Sequence, residues 1–442
     1  MSFESIIILN ALLYSALLYF CSQKFGLKNF STFLSFLYAI SSWFSYFYFK
    51  HPLFDITYVG ASFSIDLESI FYLFTVNCLL ILPFSNLNLS KIIIHTHLNW
   101  KYIFLILKIL FIVYCVILLF DIPNIIASMR SSITLSELRD VTYMEGGVNS
   151  NIFVISLANR FFGGFKLLFL FLSFYGLIYY EGKKNLFLIC IILYTFGIIA
   201  VAMQYISRAI VIHFIFELSL CYILFYNDIK AKIKKRIVVF SIVGISLFSV
   251  FFAAITMSRF GDSKDIDTND AVSLSLVRYA GESQLNFCSL LYNRTNDLAW
   301  GYDIFPLYRR VLGLEYPSGI NREDKVNYMD KKMNCPSYVF YQLAGALYAN
   351  FGKYGALLIS LLFYLGVKSI LKFKHSIYYF KLYIVLLLTC VVAKGVFWAH
   401  FGTETENLAF VFALILFYYI KDTNKNKSFF VIHHRRIYIV EK

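Results

Sequence analysis

The sequence predicts an all-α polytopic membrane protein of about eleven transmembrane helices, with a long, partly helical outer loop between spans eight and nine. Three observations predict it. Hydrophobic residues fill 59% of the 442 positions and charged ones only 15%, against about 25% in soluble domains; a soluble core could not hide so much apolar surface. Apolar runs approaching the roughly 20 residues needed to cross a bilayer recur along the chain. Lysines collect in alternate connections, as short cytoplasmic loops require. The 48 Phe and 34 Tyr suit bilayer cores and interfacial belts, although AT-rich coding DNA would raise the same residues.

The eleven spans are read at 5–21, 29–49, 64–84, 102–120, 155–180, 185–204, 206–226, 237–256, 354–371, 377–399 and 406–420. The first contains Ile6–Phe20, which lacks a basic flank and a small-residue cleavage site, so it reads as a span and not a cleaved leader. Span three carries Asp66 and Glu68, and spans six and seven are nearly continuous. Lysines follow spans one (Lys24, Lys28), three (Lys91, Lys101), five (Lys183, Lys184), seven (Lys230, Lys232, Lys234, Lys235) and nine (Lys368, Lys372, Lys374). That alternation puts the N-terminus outside and the basic tail, 421–442, in the cytoplasm. The net charge of +14 is then a topology signal, and nucleic acid is not expected as a partner. Residues 1–442 read as a single membrane domain with 257–352 as an outer cap. Within the cap, 271–292 has helical periodicity and is expected to lie along the membrane surface. The eight cysteines show no C-x-x-C spacing; Cys288 and Cys335 fall in the cap, where a bridge between them is one open possibility.

Arginine is sorted differently from lysine. Of 13 arginines, only Arg236, Arg435 and Arg436 fall on the cytoplasmic side. Arginine grips phosphate at two points where lysine offers a point charge, so outward arginines near the headgroup plane suit a lipid-linked pyrophosphate. Pairing with acids of the same loop is the competing reading. Arg208 and Arg259, at the outer ends of spans seven and eight, and Arg278 in the cap are expected to face a cavity opening outward, bounded by spans five, seven, eight and the cap. Arg160 belongs to the same group, and Arg309 and Arg310 rank second. The stretch Arg278-Tyr279-Ala-Gly-Glu282-Ser-Gln-Leu-Asn286-Phe287 mixes cation, carboxylate, amide and ring. Sugar recognition needs such a mix, while a plain Arg278–Glu282 salt bridge at i, i+4 would also explain the spacing. Glu282 and His400 are the candidate proton acceptors. His95, His97, His433 and His434 form no metal-ligand pattern, and no metal site is expected.

With this topology the chain resembles the O-antigen polymerases (Wzy-type), relatives of the O-antigen ligases. The resemblance rests on the late outer loop, on Arg278–Phe287, on Ser207-Arg208, and on Tyr348-Ala-Asn-Phe-Gly352-Lys-Tyr-Gly355, which matches a Y-x-N-F-G-x-x-G pattern entering a span. Arginine-x10-glycine repeats, proposed for some members, are absent. The resemblance implies a metal-independent glycosyltransferase of lipopolysaccharide biosynthesis, without a cofactor, in the bacterial inner membrane with a periplasmic N-terminus. Its substrate would be an oligosaccharide on undecaprenyl pyrophosphate, among membrane lipids, with room for a chain-length regulator protein and a flippase as partners. Tyr279, Asn286 and Tyr348 would join the arginines in binding sugar and pyrophosphate. The rival readings are an O-antigen ligase and a polytopic flippase or transporter of lipid-linked sugars.

Overall fold

Short polar side chains just ahead of the apolar runs set the helix starts. In the computed structural model, α1 (Phe3–Phe25) begins at Ser2, whose Oγ accepts from the Ser5 N–H at 3.3 Å, and stops at Gly26 with φ 82°. Helix α2 (Phe30–Phe49) starts on Asn29, whose Oδ1 accepts from Ser31 N–H at 2.8 Å. A single turn, α3 (Phe54–Thr57), precedes α4 (Leu67–Ile81). Asp66 caps α4 by accepting from Ser69 N–H at 2.7 Å, so this carboxylate marks the start of the helix and is not a charge inside it. Pro83 ends α4 in a 3-10 turn, Leu82–Asn86. The residues described are 2–58, 63–87, 93–95, 100–130, 153–204, 207–231, 233–235, 237, 239, 244, 246, 268–292, 297–302, 304–314, 322–337, 339–372, 376–398, 406–412, 415, 429–433 and 436–440.

Four long helices follow: α5 (Trp100–Arg130), α6 (Phe153–Tyr179), α7 (Asn185–Gln204) and α8 (Arg208–Phe225). Residues 257–352, expected as an outer cap, contain α9 (Thr268–Asn286), which runs into a π turn at Phe287–Leu291, then α10 (Pro306–Val311) and α11 (Arg322–Met333). Helices α12 (Gln342–Ile370) and α13 (Tyr379–Lys394) follow. Short strands pair Ile93–His95 with Ser376–Tyr378 and Phe429–His433 with Arg436–Val440, the latter a hairpin in the tail. Two compact units result. Unit 1 is Met1–Asn88, Asn269–Phe373 and Leu388–Asn407; unit 2 is Leu89–Thr268, Lys374–Leu387 and Leu408–Lys442.

Among the described residues, seven helices are long and apolar enough to cross a membrane: Phe3–Phe25, Leu67–Asn86, Trp100–Pro123, Leu157–Tyr179, Asn185–Ala202, Arg208–Phe225 and Gln342–Ile370. The chain is a multi-pass membrane protein on that showing. On α12, Leu358, Leu361, Leu362 and Leu365 are exposed on the protein, which lipid tolerates and water does not. Expected span two does form a helix, α2, but its serines keep it out of the seven. Expected span nine starts earlier, at Gln342, and kinks at Gly352. Expected span ten is a helix of 16 residues. Most of span eight and much of span eleven lie outside the described residues.

One expectation is overturned. The 271–292 segment is not a surface helix: from Gly281 to Tyr292 every residue is buried. The serine face of α2 receives it. Ser41 Oγ donates to Ala280 O at 2.8 Å and Ser45 Oγ to Gly281 O at 2.6 Å. A Cβ on Gly281 would lie 2.4 Å from the Phe44 carbonyl and the Ser45 nitrogen. Small residues on both sides therefore let two backbones touch, as in membrane helix pairs. The periodicity was real, but the second face of α9 is polar because it bonds to protein. Asn10 donates to the Gln284 side chain at 2.5 Å, and Ser283 Oγ to Val396 O at 2.9 Å. Cys288 and Cys335 are both buried, as separate thiols.

In unit 2, Tyr114 stacks on Phe162 with centroids 4.1 Å apart, and both pack near Tyr194. Tyr194 in turn donates to the buried Glu217 at 2.9 Å.

Candidate functional site

Between residues 297 and 352, short segments are tied to a helix break. Gly352 has φ 72° and ψ −179°, a region only glycine occupies without strain. The break there removes the amides that would bond to the Ala349 and Asn350 carbonyls. Ala299 N–H and Trp300 N–H donate to those two carbonyls instead, at 3.1 and 3.0 Å. The Y-x-N-F-G stretch thus has a structural use: it opens a helix so that a turn of the cap can dock on it. Asn350 Nδ2 bonds back to Ala346 O at 2.8 Å, and Tyr348 OH to Tyr292 O at 2.9 Å.

The docked turn continues through Gly301 (φ 76°) into α10. Pro306 at its first position fits a helix start. Asn407 fixes the same corner from another segment, accepting from Leu307 N–H at 3.3 Å and donating to Ile304 O at 3.2 Å. These restraints aim Arg309. Its Nη1 donates to Trp300 O at 3.2 Å, its guanidinium lies 5.6 Å from the Tyr302 ring centroid, and its buried Nε has no acceptor among the described residues.

Arg309 lines a cavity of about 470 Å³ together with Asp297, Trp300, Tyr328 and Lys332, within the range of small-molecule sites. Lys332 Nζ pairs with Asp297 Oδ2 at 3.3 Å. Trp300 is 68% exposed and holds φ at 48°, an uncommon backbone for a bulky residue.

Beside the kink lies a second polar group. Glu68 accepts from Tyr292 OH at 2.8 Å and pairs with Lys353. Burial pushes the Tyr292 phenol up to about 12, so it stays protonated and donates. Tyr72, Phe287 and Tyr348 surround that phenol, with centroid distances of 5.2, 5.9 and 5.7 Å.

The residues singled out by sequence fall on several different elements. Arg278 Nε bonds to Glu282 Oε2 at 2.9 Å, and Glu282 is 8% exposed; the salt bridge expected as a competing reading is present. Tyr279 packs on Phe340 and Phe397 at 5.4 and 5.3 Å, and the buried Asn286 donates to Phe340 O at 3.2 Å. Arg208 is buried at the first position of α8, in unit 2, and engages other groups. The backbones of Arg160 and Arg310 lie in α6 and α10. Arg259 and His400 lie outside the described residues.

Sequence reasoning passed over Trp300, Tyr328, Lys332, Asn407, Glu217 and the Glu68–Tyr292–Lys353 group. Three of them carried a signal. A glutamate inside span seven and one opening span three are ionisable groups that need partners. Trp300 precedes a glycine, a turn cue; the others are brought together by tertiary contacts alone. No cluster of three or more metal-ligating side chains occurs among the described residues. No protein-family model, curated protein or solved structure matches the chain.

Proposed function

We propose that the chain polymerises oligosaccharide repeat units, carried on undecaprenyl pyrophosphate, into O-antigen or a similar surface polysaccharide at the periplasmic face of the bacterial inner membrane. The observation that supports this most is the arginine-and-aromatic cavity built inside the 257–352 cap of a multi-pass membrane protein. In the proposed reaction, the growing glycan leaves its pyrophosphate by breaking the anomeric C–O bond, and a hydroxyl of the incoming unit forms the new one. The leaving group already carries negative charge. Guanidinium groups complement the charge that develops, and Arg208, Arg259 and Arg278 keep that role in the proposal, each as a separate candidate. Glu282 or His400 would take the hydroxyl proton; for Glu282 this requires the pair with Arg278 to open.

The full topology belongs to the same proposal: eleven spans, a periplasmic N-terminus and a cytoplasmic C-terminus. A reporter active only outside the cytoplasm, fused after Lys442, should be silent, and strong activity there would sink the orientation. The reaction is tested by deleting the gene and resolving surface glycan on a gel. Glycan capped at one repeat is the expected result. Stalled long chains with bare core would indicate a ligase, and loss of translocation a flippase.

A further inference from the structure

The cavity beside Arg309 has a charge count that limits what it holds. Arg309 and Lys332 supply two positive charges, and Asp297, bonded to Lys332, cancels one. A pyrophosphate diester brings two negative charges, one of which would face Asp297 without a cation of its own. A carboxylate brings one. The guanidinium is prepared for such a group: with Nη1 held by Trp300 O, the Nε edge is left, and Nε is buried without an acceptor among the described residues. An unmet buried donor is costly, and arginine meets carboxylate by a two-point fork.

The rest of the lining is apolar and aromatic: Leu298, Ala299, Trp300 and Tyr328. Trp300 is largely exposed, Tyr328 forms another wall, and Tyr302 packs 4.7 Å from the Tyr328 ring. Trp300 is kept in its left-handed conformation by bonds at both its amide and its carbonyl. Strain held by surrounding structure is characteristic of functional positions. An exposed indole beside a cation suits the apolar face of a pyranose ring whose edge carries an acid.

We infer that this cavity binds a sugar residue bearing a single carboxylate, its acid on Arg309 and its ring against Trp300. The inference rests on the polymerase reading and narrows its substrate class to acidic repeat units.

The test uses the purified full-length protein in detergent. The probes are methyl glycosides of glucuronic, galacturonic and N-acetylneuraminic acid, with methyl glucoside, methyl galactoside and inorganic pyrophosphate alongside. At least one acidic glycoside should bind 10-fold or more tightly than the neutral ones, quench tryptophan fluorescence, and resist displacement by pyrophosphate. Arg309→Ala should weaken it at least 10-fold. Trp300→Phe should keep binding but lose the quench, while Trp300→Ala loses both. Equal binding of acidic and neutral glycosides, binding of none, or displacement by pyrophosphate would each overturn the inference. These wild-type comparisons decide it even if a variant fails to fold. Single-repeat glycan in the deletion strain without acidic-sugar binding would leave the polymerase reading standing and remove only this inference. Acidic-sugar binding with normal glycan length on deletion would do the reverse.

Discussion

Replacing Gly281 by alanine is expected to abolish most of the folded protein. An added methyl would sit 2.4 Å from the backbone of Phe44 and Ser45, and no rotamer change relieves a clash with backbone. Overpacking of a close contact costs about 1–3 kcal/mol or more, and this site belongs at the upper end. Moving α2 and α9 apart would also lengthen the bonds from Ser41 and Ser45, now 2.8 and 2.6 Å. Gly366→Ala is the control, because nothing lies within 4 Å of a Cβ there, and alanine is the better helix former. Membrane yield and the unfolding midpoint in detergent should fall sharply for Gly281→Ala and hold or rise for Gly366→Ala. Equal behaviour of the two variants would refute the close approach.

The second large effect is expected at Gly352. Its φ of 72° and ψ of −179° lie where a Cβ costs about 1–3 kcal/mol. Gly352→Ala relieves that strain most readily by straightening α12. The Ala349 and Asn350 carbonyls then return to their own helix, and the turn carrying Trp300 loses its two bonds to α12. Protease cleavage near residues 297–301 should rise at least about 10-fold while membrane insertion is unchanged. On the polymerase reading, glycan length should fall to single repeats in the same variant. Unaltered cleavage would mean that the kink does not hold the turn.

Hydropathy was enough to find the membrane class and the approximate positions of the seven apolar helices, since bilayer thickness imposes a length on each span. It failed where polarity serves protein contacts. Ser41 and Ser45 lower the apolarity of α2 because they bond to α9, and the polar residues of α9 answer them. Read alone, such a helix is amphipathic and looks interfacial. The site divides in the same way. Arg278 and Glu282 were legible as a pair because i, i+4 neighbours meet on any helix. Arg309 ranked second because it neighbours Arg310, and adjacent residues on one element do not easily face the same site. Its setting is made by Trp300, Tyr328 and Asn407, the last 100 residues from the Leu307 amide it binds.

The contact between α2 and α9 also sets an order of synthesis. Ser41 and Ala280 are separated by 239 positions, and the intervening 89–268 stretch belongs to the other unit. At about 5–20 residues per second, a ribosome needs roughly 12–48 s to travel from Ser41 to Ala280. Throughout this interval α2 is in the membrane without its partner. Its hydroxyls have somewhere to go in the meantime: Ser42 Oγ bonds to Ala39 O at 2.8 Å and Ser45 Oγ to Ser41 O at 3.0 Å. Serine, which can turn back on its own helix, lets the nascent chain wait in lipid; an asparagine or glutamine at these positions would recruit whatever polar segment emerged first.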